Sequence, residues 1–258
     1  MIPIGDRLSA RTTPYVNIGI IVVNFLVFFY ELTLNSQSMF RGASELDLWF
    51  QDWGAVPACV THSLGLNPDV DPRGLAVLCN SDRALLTPFT SMFIHAGWLH
   101  ILGNMLFLWV FGDNVEDALG HFRYLVFYVL GGLAAAATQI ALNMNEFIPS
   151  VGASGAIAAV MGAYLVMFPQ ARIAVVIPLF WFLGATYMPA IALIGIWFFM
   201  QLFTGVASIG YATGGEGGVA WWAHIGGFLA GLLLVNLFRA GRSPPRRRQH
   251  WRGRSWEE

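Results

Sequence analysis

"VGASGAIAAVMGAY", residues 151–164, sets one serine, Ser154, between Gly152 and Gly155 at the start of an otherwise apolar helical stretch. The helix it opens runs to about Phe168, and about 15 residues at 1.5 Å each span only ~22 Å. What that length means depends on the solvent. Apolar residues make up 56% of the chain and charged residues 11%, and the mean hydropathy is +0.59. A soluble domain needs far more polar surface, so the surroundings are a bilayer. Its hydrocarbon core is ~30 Å thick. The helix therefore begins below the outer surface, with free amide hydrogens and partial positive charge at its mouth. A serine there ordinarily caps the helix.

Working outward, five further apolar runs are long enough to be helical spans: about Val16–Thr33, Gly97–Glu116, Phe122–Leu142, Tyr187–Ile209 and Trp222–Phe238. The expected fold is an all-α polytopic membrane protein, a six-helix transmembrane bundle. No small-residue cleavage site follows the first run, so it reads as a retained helix. "ARIAVVIPLFWFL" reads as a surface-lying segment between the fourth and fifth spans. The domain plan is an N-terminal segment 1–15, a transmembrane domain 16–240 with a long outer loop at about 34–96, and a basic, disordered tail 241–258.

Basic residues mark cytoplasmic flanks. The chain has no lysine, and most of its arginines gather before the first span (Arg7, Arg11), after the second (Arg123), after the fourth (Arg172) and in the tail from Arg239 on. Both termini are therefore expected in the cytoplasm. The acidic loop with Glu45, Asp47, Asp52, Asp69, Asp71 and Asp82 is expected outside. The tail is expected to stop transfer and touch anionic lipid, with no nucleic-acid role. Cys59 and Cys79 both lie in the outer loop, where an oxidising compartment permits a bridge; unpaired thiols remain the alternative.

An unpaired polar group inside a span costs several kcal/mol, so polar residues there tend to mark function. His100 and Asn104 are four apart and share a face of the second span; a structural hydrogen bond between helices is the plainer explanation. His95 precedes that helix. His224, Gly227 and Gly231 share a face of the sixth span, where glycines let another backbone approach. The fourth span offers Gly155, Ala158, Ala159 and Gly162 in return. Close packing of the two brings the His224 imidazole within reach of Ser154, which pairs a nucleophile with a base. The soluble-hydrolase elbow does not fit, because Ala156 stands where a second glycine belongs and no strand precedes the serine.

These stretches resemble the rhomboid family of intramembrane serine proteases, prokaryotic type. A His-x(4)-His-x(3)-Asn pattern is present as His95, His100 and Asn104, a Gly-x-Ser-Gly as Gly152, Ser154 and Gly155, and an Ala-His-x-x-Gly-x-x-x-Gly as Ala223, His224, Gly227 and Gly231. Glu116 matches the acidic residue closing the second helix. The resemblance covers about Val16–Arg239, apart from much of the outer loop. It implies a serine endopeptidase with a Ser154/His224 dyad and no third carboxylate, and an oxyanion hole from His100, Asn104 and the Ser154 amide. His95, Gly152, Gly155, Glu116, Gly227 and Gly231 would support that site. It implies no cofactor and no metal, single-pass or multi-pass membrane proteins as substrates, and a prokaryotic plasma (inner) membrane. Leu86 and Thr87 stand where the family often has Trp-Arg, and Ala158 where it often has an aromatic.

On that reading the bulky fifth span (Trp197, Phe198, Phe199, Phe203) forms a lateral gate with Phe107 and Trp109, and "YATGGEGGVA" (211–220) caps the site. Lipid-facing packing and a plain surface loop are the alternatives for each. Two other classes compete: a non-catalytic rhomboid-like protein that binds membrane helices, which typically lacks a dyad residue, and a transporter, which ideally shows internal repeats. A zinc protease lacks its His-Glu-x-x-His.

Overall fold

The computed structural model describes residues 1–8, 10–34, 44–80, 82–179, 182–210 and 220–240. The tail from 241 on and the glycine-rich stretch 211–219 lie outside the described residues, and with them the expectations of a disordered tail and of a cap. In chain order the elements are β1 Ile2–Asp6, α1 Tyr15–Glu31, α2 Glu45–Trp53, α3 Pro57–Ser63, α4 Pro72–Leu78, α5 Thr87–Thr90, a 3₁₀ turn Ser91–Phe93, α6 Trp98–Leu119, α7 His121–Leu142, α8 Ser154–Met167, β2 Arg172–Leu179, β3 Phe182–Pro189, α9 Ala190–Gly210 and α10 Trp221–Phe238.

The protein is a helical membrane bundle. Among the described residues α7, α9 and α10 are long and apolar enough to cross a bilayer, and α6 joins them through a 92° bend after the segment Thr87–Phe93. The shorter apolar helices α1 and α8 complete a set of six. Length and apolarity set these helices because lipid offers no partner for a free backbone amide, so each segment must bond within itself.

α8 is the axis of the bundle: Gly155 through Tyr164 are all buried. It packs most extensively against α10, with α7 and α6 on its other sides. Glycines make that approach possible. A Cβ on Gly227 would strike the Gly155 carbonyl, and one on Gly231 the Ala159 carbonyl. From the α8 side, a Cβ on Gly162 would lie 2.5 Å from the Phe228 carbonyl. Backbones thus touch directly, which is how helices gain van der Waals energy where lipid removes the hydrophobic drive.

The segment expected to lie along the surface is instead a β-hairpin. β2 pairs antiparallel with β3 in continuous register, and β1 adds to the free edge of β2, giving the order β1-β2-β3. Ile173 and Val175 point inward and are fully buried while Arg172 is exposed, the two-residue period of a strand. α9 consequently starts at Ala190, three residues later than expected, because residues 187–189 finish β3. Phe180 and Trp181 lie outside the described residues.

Asp6 ends β1 against the bundle, where its Oδ2 accepts from the Tyr164 hydroxyl at 2.5 Å and from Asn114 Nδ2 at 3.1 Å. Burial pushes its carboxyl up to about 6 against these hydrogen bonds, which pull the other way. A carboxyl with a raised folded value binds its proton more tightly when docked than when free. Docking of β1 should therefore be strongest below about pH 4 and weaken as pH rises through about 6. Protection of the Ile2–Asp6 amides, corrected for intrinsic exchange, should follow that course in the native chain and lose it in Asp6→Asn. An identical course in both would remove Asp6 from the account.

At the other end the outer loop carries α2 to α5. Cys59 in α3 is bonded to Cys79 at the end of α4. The alternative of two free thiols is thereby set aside. Ser44 caps α2 in a reciprocal box with Asp47.

Candidate active site

The polypeptide reaches α8 through a constrained turn. Ala55 and Ser150 form an isolated antiparallel bridge, and the Gly152 amide donates to the Ser91 carbonyl at 2.8 Å. Gly152 has φ +121°, a conformation open to glycine, and a Cβ on it would lie 2.7 Å from His100 Nε2. Both reasons require glycine at this position. Ala153 is the N-cap and Ser154 the first helical residue. The serine side chain makes no capping bond. Its Oγ instead lies 2.8 Å from Nε2 of His224.

His224 sits in the first turn of α10, on the strip Ala223, Gly227, Gly231 that lies against α8. The glycine contacts bring the two helices close enough for the 2.8 Å approach. Its other ring nitrogen, Nδ1, is 2.7 Å from Oε1 of Gln201 in α9. Ring contacts come from Trp197, centroid 5.9 Å away and tilted, and from Trp221, 6.3 Å away and perpendicular. Ala158 supplies no ring, so tryptophans of α9 and α10 flank the imidazole in its place.

His100 lies in the first turn of α6, its Nε2 edge against Gly152 and its Nδ1 accepting from the Ala96 amide at 3.4 Å. Asn104 follows on the same face, nearly buried, its Nδ2 donating to the His100 carbonyl at 2.9 Å. His95 is 1% exposed and its ring meets that of His100 at 5.1 Å, while its amide donates to the Glu31 carboxylate. Neither ring nitrogen of His95 has a partner among the described residues. Glu31 also accepts from Trp49 Nε1, so His95 belongs to a buried polar tie between α1, α2 and the bend before α6.

Glu116 stands far from this group, at the opposite end of α6. Fully buried, it accepts from the Val16 amide at 3.0 Å and the Asn17 amide at 2.7 Å and meets His121 Nδ1 at 2.5 Å. A carboxylate on the first-turn amides satisfies donors that α1 leaves open and favours its dipole. Its support of the site is thus indirect, through the placing of α1.

Beside Ser154 a cavity of ≈ 30 Å³ is lined by Ser91, Gln139, Ser150 and Gly152 among others, room for about one or two waters. Of the aromatic residues expected to gate the site, Trp197 and Phe198 turn inward, Phe198 stacking on Phe228 at 4.4 Å. Phe199, Phe203 and Trp109 face outward at 67, 69 and 59% exposure, and Phe107 packs on Phe111.

Two residues escaped the reading of the sequence. Gln201 touches His224, and Gln139 of α7 accepts from the Ala223 amide at 3.2 Å, satisfying an open donor at the start of α10. Both are polar amides inside apolar helices. The cost argument that singled out His100 and Asn104 applies to them equally.

A Rhomboid domain model matches residues 82–241, well over half of the chain. Among similar proteins, the human mitochondrial presenilin-associated rhomboid-like protein is 29% identical over 115 residues, 43% of this chain and 30% of that protein. RHOMBOID-like protein 1 of Arabidopsis thaliana is 30% identical over 150 residues, 58% and 33% of the two chains. RHOMBOID-like protein 6, mitochondrial, of the same plant is 38% identical over 76 residues, 30% and 24%. The chain thus spans about a third or less of each relative's length. These relatives are mitochondrial or plant proteins, which runs against the prokaryotic plasma membrane expected from the resemblance. The chain is an integral membrane protein. With the family model laid over the helices that carry Ser154, His100 and His224, it belongs to the rhomboid family.

Proposed function

We propose that this chain is an intramembrane serine endopeptidase that hydrolyses a peptide bond in or beside a substrate's transmembrane helix. One observation carries the proposal: a serine hydroxyl at a helix N-terminus, 2.8 Å from an imidazole nitrogen, beside a cavity large enough for water. Ser154 Oγ attacks the scissile carbonyl carbon as its proton passes to His224 Nε2. The C–N bond breaks, the leaving amine takes that proton, and a serine ester remains. Water then attacks the ester with His224 again as base, releasing the acid and restoring Ser154.

The tetrahedral oxyanion needs donors at the mouth of α8. The Ser154 amide, without an intrahelical partner at the first helical position, is one. His100 Nε2 and Asn104 Nδ2 are the side-chain donors on the facing helix. Each such donor contributes roughly 3 kcal/mol to the transition state. Asn104→Ala should therefore slow turnover about 10²-fold or more with little change in folding. His100→Ala should act likewise, with a greater effect on stability because His95 packs on it. A folded, fully active Asn104→Ala would leave Asn104 as structure alone.

Substrates on this proposal are single-pass or multi-pass membrane proteins with small, helix-weakening residues near the cut, since a hydrogen-bonded helix hides its carbonyls. The test is incubation of the detergent-purified chain with a model transmembrane substrate in the presence of a chelator. Fragments from the helix or its edge are expected. Retention of the intact substrate without cleavage would favour the helix-binding alternative.

Arginines at the β1 and hairpin end, together with the cystine at the other, support an arrangement with both termini in the cytoplasm and the α2 to α5 loop on the oxidising side. Tags at each terminus should resist protease added from the loop side of sealed vesicles. Digestion of a C-terminal tag from that side would overturn the arrangement.

A further inference from the structure

A dyad accounts for only one nitrogen of His224. For Nε2 to receive the serine proton it must carry a lone pair, so the single N–H of the neutral ring must sit on Nδ1. An imidazole in solution holds both tautomers, and a buried N–H without an acceptor is costly. Around this ring the structure offers Trp197 and Trp221 as flat apolar neighbours and, among the described residues, one acceptor for Nδ1, Oε1 of Gln201 at 2.7 Å. Gln201 is itself buried, 8% exposed, on α9, whereas Ser154 is on α8 and His224 on α10.

We infer that Gln201 is a positioning residue for the dyad, its carbonyl holding His224 as the Nδ1–H tautomer with Nε2 turned to Ser154. The inference rests on the protease reading and adds to it a neutral third member. During attack the Oγ–H bond breaks and its proton forms the new N–H at Nε2. The Nδ1 proton stays on Nδ1, since an amide oxygen orients it and does not remove it. The imidazolium then faces the negative end of the amide dipole. A carboxylate would stabilise that cation more strongly but would be a charge buried in the bilayer throughout the resting state. Because α9 carries the acceptor, the array is complete only while α9 lies against α10.

The test uses the full chain in detergent and three readouts: the rate at which a fluorophosphonate labels Ser154, the pH profile of that rate, and the ¹⁵N spectrum of the histidines, with His224 assigned by its loss in His224→Ala. Gln201→Leu keeps the bulk and removes the acceptor. Its labelling should be roughly ten- to hundredfold slower, the effect of one lost charge-assisted hydrogen bond, with the thermal midpoint retained and the Nδ1–H signal of His224 replaced by a tautomer mixture. Should that variant fail to fold, Gln201→Met, unbranched and of similar length, carries the comparison. Gln201→Glu restores an acceptor and should recover part of the lost rate, with the low-pH limb moved to higher pH because the carboxylate stabilises the imidazolium. Labelling of folded Gln201→Leu at the native rate, pH profile and tautomer would overturn the inference and leave the protease reading intact. Absence of labelling in the native chain would instead defeat that reading, while the ¹⁵N spectra still decide whether Gln201 sets the tautomer.

Discussion

Ser154→Ala is expected to abolish both substrate cleavage and fluorophosphonate labelling, a loss on the order of 10⁶-fold, the size seen when a soluble serine protease loses its serine or histidine. The reason is the geometry: among the described residues Oγ is the only hydroxyl hydrogen-bonded to the His224 ring, at 2.8 Å, and it makes no capping bond that alanine would disturb. The fold should therefore survive, which separates lost chemistry from lost structure. His224→Ala should fall as far, and the double variant no further, because nucleophile and base act as one unit. The base must be neutral, so activity should decline as the medium is acidified and the ring takes up a proton. Chelators should have no effect. Robust cleavage by clean Ser154→Ala protein would remove the serine mechanism altogether.

Gly227→Val is expected to be the most damaging change to stability, by about 3 kcal/mol or more. The Cβ it introduces meets the Gly155 carbonyl, part of the helix that positions Ser154. A backbone atom cannot rotate aside as a side chain can, so α10 must move away from α8. That displacement opens the Ser154 to His224 contact, and labelling should disappear together with the thermal midpoint. Gly103→Ala and Gly195→Ala are the controls, because a Cβ at either position finds nothing within 4 Å. They should be neutral or slightly stabilising, as alanine favours helix over glycine by about 1 kcal/mol. Equal losses at Gly227 and Gly103 would show that close approach of the α8 and α10 backbones does not govern Gly227.

The six helices were legible in the residues nearly to their ends: Trp98–Leu119 against an expected Gly97–Glu116, Ser154–Met167 against Ser154–Phe168. Lipid enforces this, since an apolar segment there must satisfy its own backbone, a condition written in consecutive residues. Polar residues inside those runs, Ser154, His224, His100 and Asn104, were legible for the same reason. "RIAVVIPL" was not, because a short β-branched run reads equally as helix or strand until a partner is known, and its partners are β3 and the distant Ile2–Asp6. Nor was the bond between Cys59 and Cys79, which needs two helix ends side by side. The position of Ser154 as first helical residue instead of cap depends on the turn at Gly152, held by Ser91 from another part of the chain. Gln201 was visible only as one more polar side chain in a greasy helix. Its meeting with His224 Nδ1 arises from how α9 rests on α10, and contact between residues on separate helices is decided by packing in three dimensions, which no local spacing encodes.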